Sequence, residues 1–179
     1  MGDANPVSAL MDPNISLEPN KEKGETNRSN DYASLIGSLQ YLATATCPDI
    51  AYAVNRLAAY TTNPSFTHYG TAKCMLRYIK GMRNYGITYH AHSTQHVGPM
   101  DSNIFYGFSD AAFANADDRR SISGYVYLSN GGEITWGSKK QTTIALSSIE
   151  AEYVALSEAS HEYTVHGPGG PGQGQTIFC

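Results

Sequence analysis

Apolar residues recur along this chain with two different periods, and the change between them divides it. In the first half they fall at helical spacing: Leu35, Leu39 and Leu42 share one face, then Ile50, Val54 and Leu57, then Ala72, Leu76 and Ile79. Asn30 and Asp31 are suitable caps, so the first helix is expected to begin there. Pro48 stops it and suits the first turn of a second helix, which the pattern carries to about Asn63-Pro64. A third is predicted from Phe66 to Lys80, with Gly81 just past its end, followed by a strand from Gly86 to His90.

Beyond residue 103 the period becomes two. Ile104, Tyr106 and Phe108 alternate into Asp110, and Gly124 to Leu128 and Ile134 to Trp136 predict two more strands, with Asn130-Gly131-Gly132 as a tight hairpin between them. Ser147-Ser148 then caps a helix of good formers, with Glu150 in its first turn, where a carboxylate suits the helix dipole. The pattern stops after Val165, and Gly167 to Gln175 reads GPGGPGQGQ, which suits neither helix nor strand.

Domain boundaries follow. Residues 1–29, with Pro6, Pro13, Pro19 and Gly24 among polar residues, form an extended or disordered lead; residues 30–90 are helical; 91–102 are a linker; 103–165 are a sheet with one helix; and 166–179 are a disordered tail. The fold class is α/β. A sheet unit of about 60 residues buries little surface and looks incomplete.

Composition narrows the chemistry. Apolar residues make up 41% of the chain, enough for a core, and the net charge of −4 rules out a wholly basic nucleic-acid binder, so any such surface must be local. No apolar run is long enough to span a membrane, and the N-terminus lacks the blocks of a secretory signal. Cys47, Cys74 and Cys179 share no metal-ligand spacing, which points to reduced thiols and a cytoplasmic or nuclear place.

One local basic surface stands out. Lys73, Arg77 and Lys80 fall at i, i+4 and i+7, with Arg83 continuing the series, and residues 68–90 contain no acid. The stripe is either a solvated helix face or a track for phosphates, each base neutralising one backbone charge. Lys139 and Lys140 could face a nucleic-acid backbone or protect a sheet edge. His90, His92 and His96 lack an evident fourth zinc ligand. Asp117-Asp118-Arg119-Arg120 reads as a solvated turn, and no nucleophile elbow surrounds Ser147 to support a triad with His161.

Asp110 at a strand end and Glu152 near a helix start could share a divalent metal, the setting in which carboxylates support phosphodiester cleavage. Glu150 lies roughly 200° from Glu152 around the helix. Glu152 is expected to share its face with Ile149, Leu156 and Ala159, packed on the sheet, where a buried carboxylate would need a partner such as a metal. The alternative is that Glu152 sits at the sheet's rim and reaches water.

Several long motifs, in order, resemble the Pol polyprotein of copia-type LTR retrotransposons. MDPNISLEPN (11–20) looks like the exit from the reverse-transcriptase palm. YASLIGSLQYLATATCPDIAYAVNRLA (32–58) is similar to the family's Y-R-x-L-I-G-S-L-x-Y-L-x-x-T-R-P-D-I-x-Y-A-V pattern, and HYGTAKCMLRYIKG (68–81) to H-W-x-A-x-x-x-L-R-Y-L-K-G. FSDAAFANADDRRSISGYVY and ITWGSKKQTTIALSSIEAEYVALSEA resemble the opening of the ribonuclease H domain.

The resemblance covers residues 10–162. It implies a helical thumb/connection region followed by an incomplete ribonuclease H-like three-stranded sheet with one helix. The implied activity is hydrolysis of the RNA strand of RNA–DNA hybrids with Mg²⁺ or Mn²⁺, and Asp110 and Glu152 match two catalytic, metal-binding acids. Lys73, Arg77, Lys80, Arg83, Lys139 and Lys140 become candidate nucleic-acid contacts. The implied partners are the hybrid and the rest of a Pol polyprotein; the sequence is silent on oligomeric state.

Departures from the family pattern limit what carries over. The family's strand ending in D-N-Q and its H-x-R-T-K-H-I-D segment, which supply further acids, have no counterpart, and the polymerase aspartates lie upstream of the matching region. Cys47 stands for an arginine and Ala112 for an acid. The expectation is a truncated or decayed copy without activity of its own, which at most binds nucleic acid.

Overall fold

A computed structural model describes residues 4–12, 15, 17–20, 26–89, 105–116 and 118–166. The histidines at 90, 92 and 96, the 91–102 linker, Cys179 and the glycine-proline tail lie outside these residues. The chain divides into two compact units, 1–86 and 87–179.

The first unit is helical: α1 (Thr26–Ala45), a 3₁₀ turn (Pro48–Ile50), α2 (Ala51–Ala58) and α3 (Phe66–Met82). Its core is built from Tyr32, Ile36, Leu39 and Ala43 of α1, Ile50, Ala53, Val54 and Leu57, and Ala72 and Met75 of α3. Leu35, Leu42, Leu76 and Ile79 pack around it partly buried. The helical spacing was therefore right, but the buried stripe of α1 is rotated one residue toward Tyr32 and Ile36. Tyr32 fixes that rotation, because its buried hydroxyl donates to the Leu57 carbonyl at 2.9 Å.

Three boundaries differ from expectation. Helix α1 starts at Thr26, so Asn30 and Asp31 are exposed residues of its second turn and not caps. Helix α2 ends at Ala58, and turns lead from it to Asn63-Pro64. Gly81 lies within α3, and residues 86–89 form no strand; instead Ile87 and Tyr89 stand against Gly132, and the Tyr89 hydroxyl donates to the Glu133 carbonyl at 2.6 Å.

Helix α3 is capped from both directions. The Ser65 hydroxyl accepts from the His68 N–H at 3.3 Å, and the Ser65 N–H donates to His68 Nδ1 at 2.9 Å. A histidine thus takes the place that glutamate or glutamine fills in the usual capping box. His68 is fully buried and stacks on Tyr60, ring centroids 4.1 Å apart.

The second unit is an antiparallel sheet in the order β1 (Tyr106–Ala112), β2 (Ile122–Ser129), β3 (Gly132–Lys140), followed by α4 (Ser148–His166). Asn130 and Gly131, with φ of 52° and 82°, make the two-residue β2–β3 turn, a left-handed geometry that suits these two residues. At the start of α4, the Ser147 hydroxyl accepts from the Glu150 N–H at 3.2 Å, and the Glu150 carboxylate accepts from the Leu146 N–H at 2.7 Å. The expected Ser147/Glu150 helix start is present. Among the described residues this makes a mixed α/β protein with four α-helices and a three-stranded antiparallel sheet.

Candidate functional site

Helix α4 lies on β1 and β2 through Ala151, Ala155 and Ala159, all essentially buried. The opposing sheet surface is bulky, with Tyr125, Tyr127 and Phe105, so only small side chains let the helix come close. Tyr127 donates to the Ala159 carbonyl at 2.6 Å, and Gln141 Nε2 donates to the Ala151 carbonyl at 2.9 Å and to Ser123 Oγ at 3.0 Å. This overturns the expected packing face. Ile149 and Leu156 are 67% and 53% exposed, and Glu152 is exposed too. Water therefore solvates the Glu152 carboxylate, and burial supplies no argument for a metal beside it.

The rotation still sets Glu152 on a particular side. At ~100° per residue it stands roughly 60° off the midline of the alanine face. Tyr163 lies on that same flank and meets Phe105, which leads into β1, with ring centroids 5.7 Å apart. Glu158, His161 and Glu162 line the other side, over a cleft of about 420 Å³ shared with Ser123, Tyr125, Gly137 and Lys139. Glu152 thus belongs to the β1 side of the helix.

Asp110 is exposed near the end of β1 and pairs with Gly124, which pairs with Ser138. Tyr127 and its partner Gly107 face α4; Asp110, three residues beyond Gly107, faces the other side of the sheet. Asp110 therefore points from the sheet face opposite α4, the helix that carries Glu152, so the expected pair is not brought together on one face, although each acid sits on the element its sequence position anticipated.

Hard carboxylate oxygens suit Mg²⁺ or Mn²⁺ in kind. In number they fall short. Among the described residues no group of three or more His, Cys, Asp or Glu side chains is gathered as a metal site. A two-metal clamp around a phosphate needs more ligands than one aspartate and one glutamate provide.

The lysines of β3 do not act as a pair. Lys139 and Lys140 are neighbours on one strand and so point to opposite faces. Lys139 lines the cleft beside α4, whereas Lys140 Nζ lies 3.1 Å from Asp118 Oδ2. Arg120 also contacts Asp118, its Nε 3.5 Å away. Burial pushes the Asp118 carboxyl up, but the hydrogen bonds from Lys140 and the Arg120 N–H, with both charges, hold it below the usual range. The acidic-basic turn is thus tied to β3 through Asp118, not simply solvated.

In the helical unit, Lys73 and Lys80 are exposed along α3, Arg77 is half-buried, and Arg83 is the exposed C-cap. Lys73 Nζ lies 4.7 Å over the Tyr69 ring. Sequence reasoning missed what meets the other two: Arg77 Nε donates to the Asn5 carbonyl at 2.7 Å, and Lys80 Nζ to the Ala4 carbonyl at 2.9 Å. No local signal could reveal contacts between residues more than 70 positions apart.

Comparison with known proteins places the sequence. Over 169 residues, 90% of this chain, it is 35% identical to the retrovirus-related Pol polyprotein from transposon TNT 1-94 of Nicotiana tabacum. Over 160 residues it is 37% identical to that from transposon RE1 of Arabidopsis thaliana. The chain belongs to the Pol family of copia-type retrotransposons. It spans 12% and 10% of the length of these two Pol polyproteins, so it corresponds to a fragment of such a protein. It is also 42% identical over 132 residues to secreted RxLR effector protein 161 of Plasmopara viticola, covering 87% of that relative and 73% of this chain. No family model and no solved structure matches. No helix among the described residues is long and apolar enough to cross a membrane.

Proposed function

We propose that this Pol fragment carries the opening of a ribonuclease H-like unit, that its parent activity is hydrolysis of the RNA strand of RNA–DNA hybrids, and that this chain binds the hybrid without cutting it. The observation that carries the reading is the placement of Asp110 and Glu152: both are exposed, Asp110 points from the sheet face opposite α4, and no group of three or more ligating side chains is gathered among the described residues. Mg²⁺ or Mn²⁺ is the cofactor of the parent activity in this reading, and no step of this chain runs through it. Binding rests on the helical unit, where Lys73, Arg77, Lys80 and Arg83 follow one another along α3 and its cap. Each can neutralise one backbone phosphate. Lys139 is a weaker candidate and Lys140, engaged with Asp118, weaker still. A reducing cytoplasmic or nuclear setting fits the free thiols of Cys47 and Cys74.

Fluorescence anisotropy with a labelled 20-base-pair RNA–DNA hybrid tests the binding half. Binding should weaken with salt, and Lys73→Ala with Arg83→Ala should reduce the slope of log affinity against log salt by about 1.5–2. An unchanged slope would remove the stripe from the interface.

A further inference from the structure

The segment before α1 is anchored at one end and lightly held at the other. Leu17 is buried in the helical core, the Tyr60 hydroxyl donates to its carbonyl at 2.5 Å, and Asn63 Nδ2 donates to the Asn20 carbonyl at 3.0 Å. Leu10, Met11 and Ile15 pack on the core partly buried. Residues 4–7 run beside the C-terminal half of α3. There Asn5 and Ala4 present carbonyl oxygens to Arg77 and Lys80, and a Cβ at Gly81 would stand 3.3 Å from Pro6. Asn5 and Pro6 are themselves exposed, and both hydrogen bonds are solvent-accessible.

Peptide carbonyls and phosphate oxygens accept the same donors, but the phosphate carries a full charge and forms the stronger bond with a guanidinium or ammonium group. We propose that residues 4–7 are a strap that occupies two of the four positions on the basic stripe, so that Arg77 and Lys80 take up phosphates only when the strap lifts. The inference rests on the hybrid-binding reading above and adds to it a built-in competitor. The anchor at Leu17 keeps the strap nearby after it lifts.

Two variants of the full chain test this, each measured beside the unaltered protein with the labelled hybrid between 50 and 200 mM salt. Deleting residues 1–8 removes the strap and keeps Leu10, Met11, Ile15 and Leu17. Gly81→Ile pushes a branched side chain into Pro6 and leaves Arg77 and Lys80 in place; it decides the question if the deletion fails to fold. Both variants should bind about tenfold more tightly at 50 mM salt, with the salt slope steeper by about 1.5–2, the signature of two added phosphate contacts. If all three proteins bind alike, or the variants bind more weakly, the strap is overturned while the hybrid reading stands. If none binds even at 50 mM salt, the hybrid reading fails and the strap fails with it.

Discussion

Tyr127 of β2 donates its phenolic hydrogen to the main-chain carbonyl of Ala159 in α4, 2.6 Å away in a buried seam. That bond joins sheet to helix at the point where the helix has no side chain larger than a methyl. Tyr127→Phe keeps the ring stack on Phe105 and removes only the hydroxyl. The second unit should lose about 1–1.5 kcal/mol, the range of a buried hydrogen bond. Trp136, the single tryptophan, sits in β3 and reports this unit in a urea titration.

The same tyrosine predicts an alkaline limit. Burial pushes the Tyr127 hydroxyl above its usual range, with Glu162 and Tyr163 adding to the effect. A group whose folded pKa is raised contributes stability that is intact below its unfolded value and lost as pH climbs through the folded one. Trp136-detected stability should therefore hold through neutral pH and begin to fall above about pH 10. Tyr127→Phe should make that fall shallower, and an equal fall in both proteins would assign it to other groups.

The alanine face of α4 is tested by a pair of neighbouring substitutions. Ala155→Leu drives three extra carbons into the buried seam between α4 and the sheet and should destabilise the unit by about 1–3 kcal/mol. Leu156→Ser, on the exposed flank, should change it by under about 0.5 kcal/mol. The reverse ranking would restore the packing face that the apolar spacing suggested.

That mismatch shows what the sequence could and could not express. The three strands of the sheet, the Asn130-Gly131 turn and the Ser147/Glu150 helix start were legible, because alternation, left-handed turn geometry and capping are local, whereas the strand expected from Gly86 did not form. The rotation of α4 was not. Ile149 and Leu156 look like core residues by hydrophobicity, whereas the tyrosines across the seam leave room only for alanine. Asp110 and Glu152 sit on the strand end and helix start where the sequence put them, but Glu152 lies on the exposed flank beside Tyr163 and not on the packed face, and Asp110 points from the opposite face of the sheet. The docking of Leu17 and the contacts of Ala4 and Asn5 were invisible, since their partners lie more than 40 residues away and the segment's composition reads as loop.

In the helical unit, Ser65→Ala removes one arm of the α3 cap and should cost about 1 kcal/mol. His68→Ala removes the other arm, the stack on Tyr60 and a fully buried ring, and should cost about 3 kcal/mol. Hydrogen exchange of the α3 amides separates the two: the serine variant should loosen the first turn, the histidine variant the whole helix.

On the proposed function, this Pol fragment holds a hybrid without cleaving it. The direct test is gel analysis of a 5′-labelled RNA–DNA hybrid incubated with purified, folded protein in Mg²⁺ and in Mn²⁺, beside Asp110→Asn. The expected result is intact RNA in every lane under conditions where anisotropy shows the hybrid bound. Cleavage by the unaltered chain that disappears in Asp110→Asn would contradict it and establish a working nuclease site around Asp110.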